Sequence, residues 1–144
     1  MIVRPLRPAD REQWQPLWDG YNRFYERVLP GEITEVTWAR FFKPGEPVFA
    51  AVAERDGDVV GLVHYLYHRS TTTIDNVCYL QDLFTAPEAR GMGVGRALIE
   101  HVYDEARKAG VPRVYWQTHE ANPARKLYDQ VAELSPFRRY VKVL

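Results

Sequence analysis

The chain has 144 residues, of which 46% are hydrophobic and 13% aromatic, enough for one domain over residues 1–144 with a real core. Its 19 basic and 19 acidic side chains cancel, so no overall charge draws it to nucleic acid or to an anionic membrane. The one cysteine, Cys78, excludes an intrachain disulfide framework and fits a reducing cytoplasm. No apolar run approaches the roughly 20 residues of a membrane helix, and the N-terminus, charged by Arg4, carries no visible signal peptide.

Residues 1–7 read as a short first strand, which Pro5 and Pro8 place at an edge or bring to an end. From Ala9 to about Val28, the spacing of Trp14, Leu17, Trp18, Tyr21, Phe24, Tyr25 and Val28 is helical. Pro30 to Glu32 interrupts it, and Thr34 to Phe42 offers a second short helix. Val48 to Arg55 and Val59 to His68 flank Asp56-Gly57-Asp58, a strong hairpin signal. Ile74 to Thr85 is the third strand of that meander. Gly93 to Ala109 is the best helix, with Val94, Leu98, Val102 and Ala106 on one face and Glu100, Asp104 and Lys108 away from it. Arg107 and Lys108 suit its C-terminal end, and Gly110 and Pro112 stop it. Arg113 to Thr118 is a strand. Asn122 and Pro123 form an N-cap with proline at the first helical position, and the helix they open carries Leu127, Tyr128 and Val131. Residues 137–143, FRRYVKV, close as a last strand. The order β-α-α-β-β-β-α-β-α-β predicts a mixed α/β sheet, antiparallel in its N-terminal half. A strand–helix–strand crossover then sets a parallel pair at its centre.

The stretch Glu88 to Gly110, EARGMGVGRALIEHVYDEARKAG, puts three glycines at a helix entrance, where glycine gives up helix propensity. A Walker A loop would need Gly-Lys-Ser/Thr, and here Arg96 and Ala97 follow Gly95. A dinucleotide fingerprint would need a third glycine where Arg96 stands. What remains is a set of backbone N–H groups able to converge on an anion, aided by the helix dipole and by Arg90 and Arg96. On the glycines alone, a tight turn without a ligand stays open. Other signals fail. His64 and His68 lie about 13 Å apart along a strand and cannot share a zinc ion. Cys78 reads as buried and structural, and Arg138-Arg139 is too small a footprint for nucleic acid.

Arg90-x-x-Gly93-x-Gly95 resembles the pyrophosphate-binding motif of the GCN5-related N-acetyltransferases (GNAT family). CYLQDLFTAPEARGMGVGRALI (78–99) and VYWQTHEANPARKLYD (114–129) resemble that family too, closest to its branch of small histone/polyamine-type enzymes. The element order matches its fold along essentially the whole chain. The resemblance implies acetyl-CoA as co-substrate, no metal, and a second copy of the chain as partner. It puts the diphosphate on the backbone of Arg90, Gly91, Met92, Gly93, Val94, Gly95 and Arg96. The pantetheine arm enters a gap between the two parallel strands, bonded by the main chains of Leu83, Phe84 and Thr85 and by Asn122. An N–H near Leu83 or Phe84 polarises the thioester carbonyl.

The resemblance also makes Tyr128 the general acid that serves the departing thiolate. Packing against Leu127 and Val131 is the alternative reading of its position. Asp82 relays the acceptor's proton through water or holds a cationic acceptor. A glutamine, Gln81, stands where related spermidine/spermine acetyltransferases carry a first acid. His119 and Glu120 are the other candidate bases, and a water chain could replace a single base. For the acceptor, Tyr21 and Tyr25 alternate with Asp19, Glu26 and Glu32, a pattern suited to a protonated amine; His119 and Asp82 complete the expected acceptor site. Pro136 stands before Phe137 where the family usually has glycine. The implied activity is transfer of acetyl directly to a primary amine, small like a polyamine or amino-acid-like. A protein lysine or N-terminus, a bulkier acyl group, and a non-catalytic acyl-CoA sensor are the alternatives.

Overall fold

A computed structural model describes residues 1–144. Its sheet has five strands in the order β1-β2-β3-β4-β5: β1 Ile2–Pro5, β2 Val48–Arg55, β3 Asp58–His68, β4 Val77–Thr85 and β5 Val114–Tyr115. The first four pair antiparallel, and β4 and β5 are parallel. The helices are α1 Arg11–Phe24, α2 Gly31–Phe42, α3 Val94–Lys108 and α4 Arg125–Val131. The mixed α/β fold and the antiparallel-then-parallel order agree with the sequence reading through α4. None of the helices is long and apolar enough to cross a membrane.

The β2–β3 turn forms because Asp56 (φ 53°) and Gly57 (φ 85°) both adopt the left-handed region, whose twist suits a two-residue hairpin. The α3 stripe is buried as its spacing predicts: Val94, Leu98, Val102 and Ala106 all lie against the sheet, with Ile99 beside them. Strand alternation splits β3 between the two layers. His64 reaches Trp14 of α1, and Gly61 faces α3. A Cβ on Gly61 would stand 2.7 Å from Val94 Cγ1 and 3.2 Å from the Phe84 carbonyl. That bare backbone lets α3 lie flush on the sheet and sets where its N-terminus begins. Gly61→Ala should therefore destabilise the fold by about 1–3 kcal/mol through overpacking, read as a lowered urea midpoint; an unchanged midpoint would mean that α3 yields freely.

Several expectations change. α1 ends at Phe24 rather than near Val28, and α2 begins at Gly31, inside the stretch read as an interruption, rather than at Thr34. The third strand starts at Val77 rather than Ile74, and the strand expected over 113–118 keeps only Val114 and Tyr115 in the ladder. The last helix begins at Arg125. Asn122 stands two residues before the helix's N-cap position, Ala124; its Oδ1 accepts the Ala124 N–H (2.9 Å) and so caps the turn that leads into the helix rather than the helix itself. The closing strand does not form within the chain. Residues 137–144 have no strand partner and are exposed throughout.

Candidate active site

The parallel pair opens almost at once. β4 and β5 meet only at Cys78–Val114 and Tyr79–Tyr115, so β4 from Leu80 onward has no neighbour on that side. Parity decides which groups line the opening. Ala86 N–H donates to the Val60 carbonyl (2.8 Å), so Phe84, two residues earlier and opposite Leu62, turns its main chain to β3 as well. Leu83 and Thr85 turn theirs to the gap. The expectation that all three offer main-chain groups is corrected: Phe84 does not. Its ring instead packs edge-on to Tyr21, 6.3 Å between centroids. Gly20 of α1 allows this approach, since a Cβ there would come within 3.0 Å of that ring.

At the end of β4 the chain turns through a short 3-10 helix, Pro87–Ala89, into the glycine loop. Gly91 (φ 77°) and Gly93 (φ 80°) sit in the left-handed region, and Gly93 caps α3. The N–H groups from Gly91 through Arg96 make no hydrogen bond in the chain; the first α3 bond comes from Ala97 to the Gly93 carbonyl (3.0 Å). Six successive unpaired donors at a helix N-terminus form a cradle for an anion. Arg90 lies over the Phe84 ring at 5.6 Å, and Arg96 bonds Gln130 of α4. Gly95 lets α4 close over this end, with Leu127 Cδ2 at 3.2 Å from where its Cβ would be. A groove of about 480 Å³ runs beside the loop between α1 and β4, lined by Leu17, Gly20, Phe24, Phe84, Pro87 and Arg90.

On the α1 side of β4, Asp82 is buried in a polar chain. The Trp14 indole N–H donates to His64 Nε2 (3.1 Å). That nitrogen is therefore an acceptor, and the ring proton sits on Nδ1, which donates to Asp82 Oδ2 (2.9 Å). In this arrangement the imidazole is neutral, and His64 is the only partner within ion-pair distance of Asp82. A buried carboxylate is thus oriented by one neutral donor, itself held by Trp14, without a lysine or arginine beside it. Tyr21 stands next to it, donating to the Gln81 carbonyl (3.3 Å). Burial, and then the Asp82 charge, push its phenol well above the usual tyrosine range, while Arg27 pulls the other way. The Arg27 guanidinium lies 5.3 Å from the Tyr21 ring centre and 5.1 Å from that of Tyr25. Its Nε bonds Asn22 Oδ1 (3.2 Å). The aromatic faces expected to await an amine therefore already carry a cation.

Across the gap, Tyr128 packs edge-on to Trp116, 5.4 Å between centroids. Burial raises its pKa to about 12, with the nearby Tyr25 phenol a second cause. Tyr25 and Tyr128 thus come together from α1 and α4. Asn122 is engaged at both ends, donating to Thr118 Oγ1 (2.8 Å) and accepting from Ala124, with one N–H left. His119 is exposed and accepts the Ala121 N–H in a local turn (3.1 Å); it bonds neither Asp82 nor Tyr128. Cys78 is fully buried, and burial pushes its thiol up to about 12, in keeping with an inert structural role. Sequence reasoning missed Trp14, His64 and Arg27. The first two meet across 50 residues with no local signature; Arg27, two residues past Tyr25, was within reach.

A divided sheet, an anion cradle at its mouth and a half-buried phenol beside the gap point to an acyl-transferring class of protein. The Acetyltransferase (GNAT) family matches residues 12–132. The chain is 40% identical over 135 residues to the D-amino-acid N-acetyltransferase HPA3 of Saccharomyces cerevisiae, covering 92% of this chain and 84% of that one. It is 29% identical over 108 residues to the peptidyl-lysine N-acetyltransferase YjaB of Escherichia coli, 72% and 65% of the two chains. Its fold is shared with the ribosomal-protein-alanine N-acetyltransferase of Brucella melitensis, with a TM-score of 0.79 and 22% identity over 100% of both chains. The chain belongs to the GNAT acetyltransferase family. It is an N-acetyltransferase that uses acetyl-CoA.

Proposed function

We propose that the acceptor is an amino-acid-like molecule carrying both a primary amine and a carboxylate, rather than a polyamine. The observation that carries this reading is the pairing of Asp82 with Arg27 about one phenol, that of Tyr21. Asp82 offers a negative charge with no lysine or arginine opposite it, suited to an ammonium group. Arg27 offers a guanidinium free of carboxylate partners, suited to a carboxylate. A polyamine would bring a second cation toward Arg27 and lose by repulsion. The yeast relative, whose name specifies D-amino acids, agrees with this class.

On this reading the residues at the site divide the work. The N–H groups of Gly91 to Arg96 grip the diphosphate of acetyl-CoA, and Arg90 adds charge beside them. The main chains of Leu83 and Thr85 take the pantetheine arm as an added strand, and the Leu83 N–H polarises the thioester carbonyl. The remaining Asn122 N–H steadies the same arm. Asp82 holds the ammonium and accepts its proton directly or through water, with His64 and Trp14 fixing the carboxylate. Tyr128 donates a hydrogen bond to the leaving sulfur. His119, tied into its turn, is left outside this assignment. The buried thiol of Cys78 fits a reducing compartment such as the cytoplasm.

The test is thiol release with D- and L-amino acids, their carboxamides, spermidine and a lysine peptide. Free amino acids should be the best acceptors. Arg27→Gln should lower kcat/KM for them roughly tenfold or more, the size of a lost charge-assisted hydrogen bond, while leaving the carboxamides unaffected. Wild-type enzyme that treats acid and carboxamide alike, or prefers spermidine or the peptide, would remove the carboxylate from the recognition scheme.

A further inference from the structure

His64 and Asp82 meet because the sheet carries a bulge. The register passes from Tyr65–Leu80 to His64–Asp82, so Gln81 is an extra residue on β4 with no partner on β3. A bulge re-aims the side chain beside it, and here it sets the Asp82 carboxylate against the imidazole. Both side chains are nearly closed to water, 5% and 11% exposed. The two carboxylate oxygens differ. Oδ2 accepts the His64 Nδ1–H. Oδ1 has only the Tyr21 phenol near it, which donates to the Gln81 carbonyl. That oxygen is not among the buried orphaned atoms, so it is the one within reach of a bound acceptor.

An imidazole relays a proton only when one nitrogen receives as the other releases. In His64 both nitrogens are taken. Nδ1 already holds its proton, and Nε2 faces the Trp14 indole N–H, a group that only donates. The other neighbours of the ring offer no second route. They are Trp18 of α1 and Phe41 of α2, 5.2 and 4.7 Å between ring centres, and Ala50 opposite it on β2. The charged or titratable groups facing this cluster are Asp82 itself, Tyr21 beside it, and Arg11, which lies over the Trp14 ring and bonds Glu35.

We propose that Trp14 and His64 are positioning residues that stop the acceptor's proton at Asp82, an inference that rests on Asp82 holding the acceptor's ammonium. By occupying Nε2, the indole fixes His64 as a neutral, one-way donor. The proton then goes to Asp82 Oδ1, directly or through water, and no further. An N–H bond of the ammonium breaks, its electron pair stays on nitrogen as the nucleophile, and an O–H bond forms on Oδ1. Ammonium and carboxylate become amine and carboxylic acid, with no change at the imidazole, and the proton later leaves to solvent from the same oxygen. An imidazolium in this place would instead pair with Asp82 and cancel the charge that attracts the ammonium.

Two variants separate positioning from relay. Glutamine can donate to Asp82 and accept from Trp14 but takes up no proton, whereas leucine does none of these. His64→Leu should lower kcat/KM for the acceptor roughly ten- to a hundredfold, mostly through KM, the size of a lost hydrogen bond to a charge. His64→Gln should recover most of that loss, and its pH profile should superimpose on that of the wild type. Nitrogen-15 correlation spectra of the free protein at neutral pH should show a proton on His64 Nδ1 and none on Nε2, the signals assigned by their loss in His64→Gln. Trp14→Phe frees Nε2, so kcat/KM should fall more steeply toward acid pH, and adding His64→Gln should abolish the extra fall. Trp14 is fully buried, and the His64 variants and the spectrum carry the test where its replacement does not fold. A proton on Nε2, a glutamine variant as impaired as the leucine one, or a pH profile altered by glutamine would each overturn the proposal. Asp82→Asn with a wild-type acceptor KM would overturn both this and the assignment of the ammonium to Asp82, whereas the spectrum and the glutamine variant bear on the proton stop alone.

Discussion

Tyr128→Phe should lower kcat by about 10²–10³, the usual cost of one hydrogen-bond donor aimed at developing negative charge, and leave CoA affinity unchanged. The direction follows from geometry and the size from acidity. The Tyr128 ring is held by Trp116, a contact that phenylalanine keeps. Its hydroxyl bonds nothing in the chain and is not among the buried orphaned atoms, so the change removes only a donor to a bound molecule. Burial lifts the phenol to about 12, whereas a free thiol ionises near 8.5. Complete transfer of the proton to the leaving thiolate would therefore run uphill by roughly 5 kcal/mol. A hydrogen bond that stabilises the thiolate while solvent supplies the proton is the cheaper course. Two measurements check this. Single-turnover rates of the two enzymes should differ as stated while calorimetric CoA affinity matches. The wild-type rate should show no alkaline decline from this residue until pH approaches about 12, because a raised phenol keeps its proton up to that point. An unchanged turnover in the phenylalanine variant would take Tyr128 out of the chemistry.

What the sequence revealed and what it hid divide along the range of the signals. The Asp56-Gly57 turn and the Val94–Ala106 stripe depend on neighbours within a few residues, and both form as expected. The glycine loop was legible for the same reason, since Gly91 and Gly93 need their bare Cα locally whatever binds there. Asp82 could be named but not described. Its partners Trp14 and His64 lie on another helix and another strand, and only tertiary packing makes a histidine that looked like a stray metal ligand into the prop of a carboxylate. The direction of the Phe84 main chain needed the β3–β4 register, which no periodicity supplies. Residues 137–143, read as a last strand, form none: a pattern of side chains reports propensity, while the ladder requires a partner edge, and the edge offered by β5 is left open by its own tail.

Gly93→Asp should raise the dissociation constant for CoA at least a hundredfold, about 2.7 kcal/mol, while costing at most about 2 kcal/mol of stability. At φ 80° and ψ 11° Gly93 sits where an L-residue costs roughly 1–2 kcal/mol, though aspartate is among the few side chains that tolerate the region. No atom lies within 4 Å of the place its Cβ would take, so the fold has room. Gly93 is also the N-cap of α3, where aspartate gains only about a few tenths of a kcal/mol over glycine by accepting the first N–H groups of the helix. The free protein therefore keeps most of that modest backbone cost. The complex loses far more, because the N–H groups the new carboxylate would satisfy belong to the run from Gly91 to Arg96 that the diphosphate requires, and its charge repels that anion. Gly93→Ala, which pays the backbone cost without a carboxylate, should bind CoA far more nearly as wild type does. Calorimetric titration of both variants, beside thermal melts to confirm folding, decides the matter: a folded Gly93→Asp protein with wild-type affinity would mean that the diphosphate rests somewhere other than on this loop.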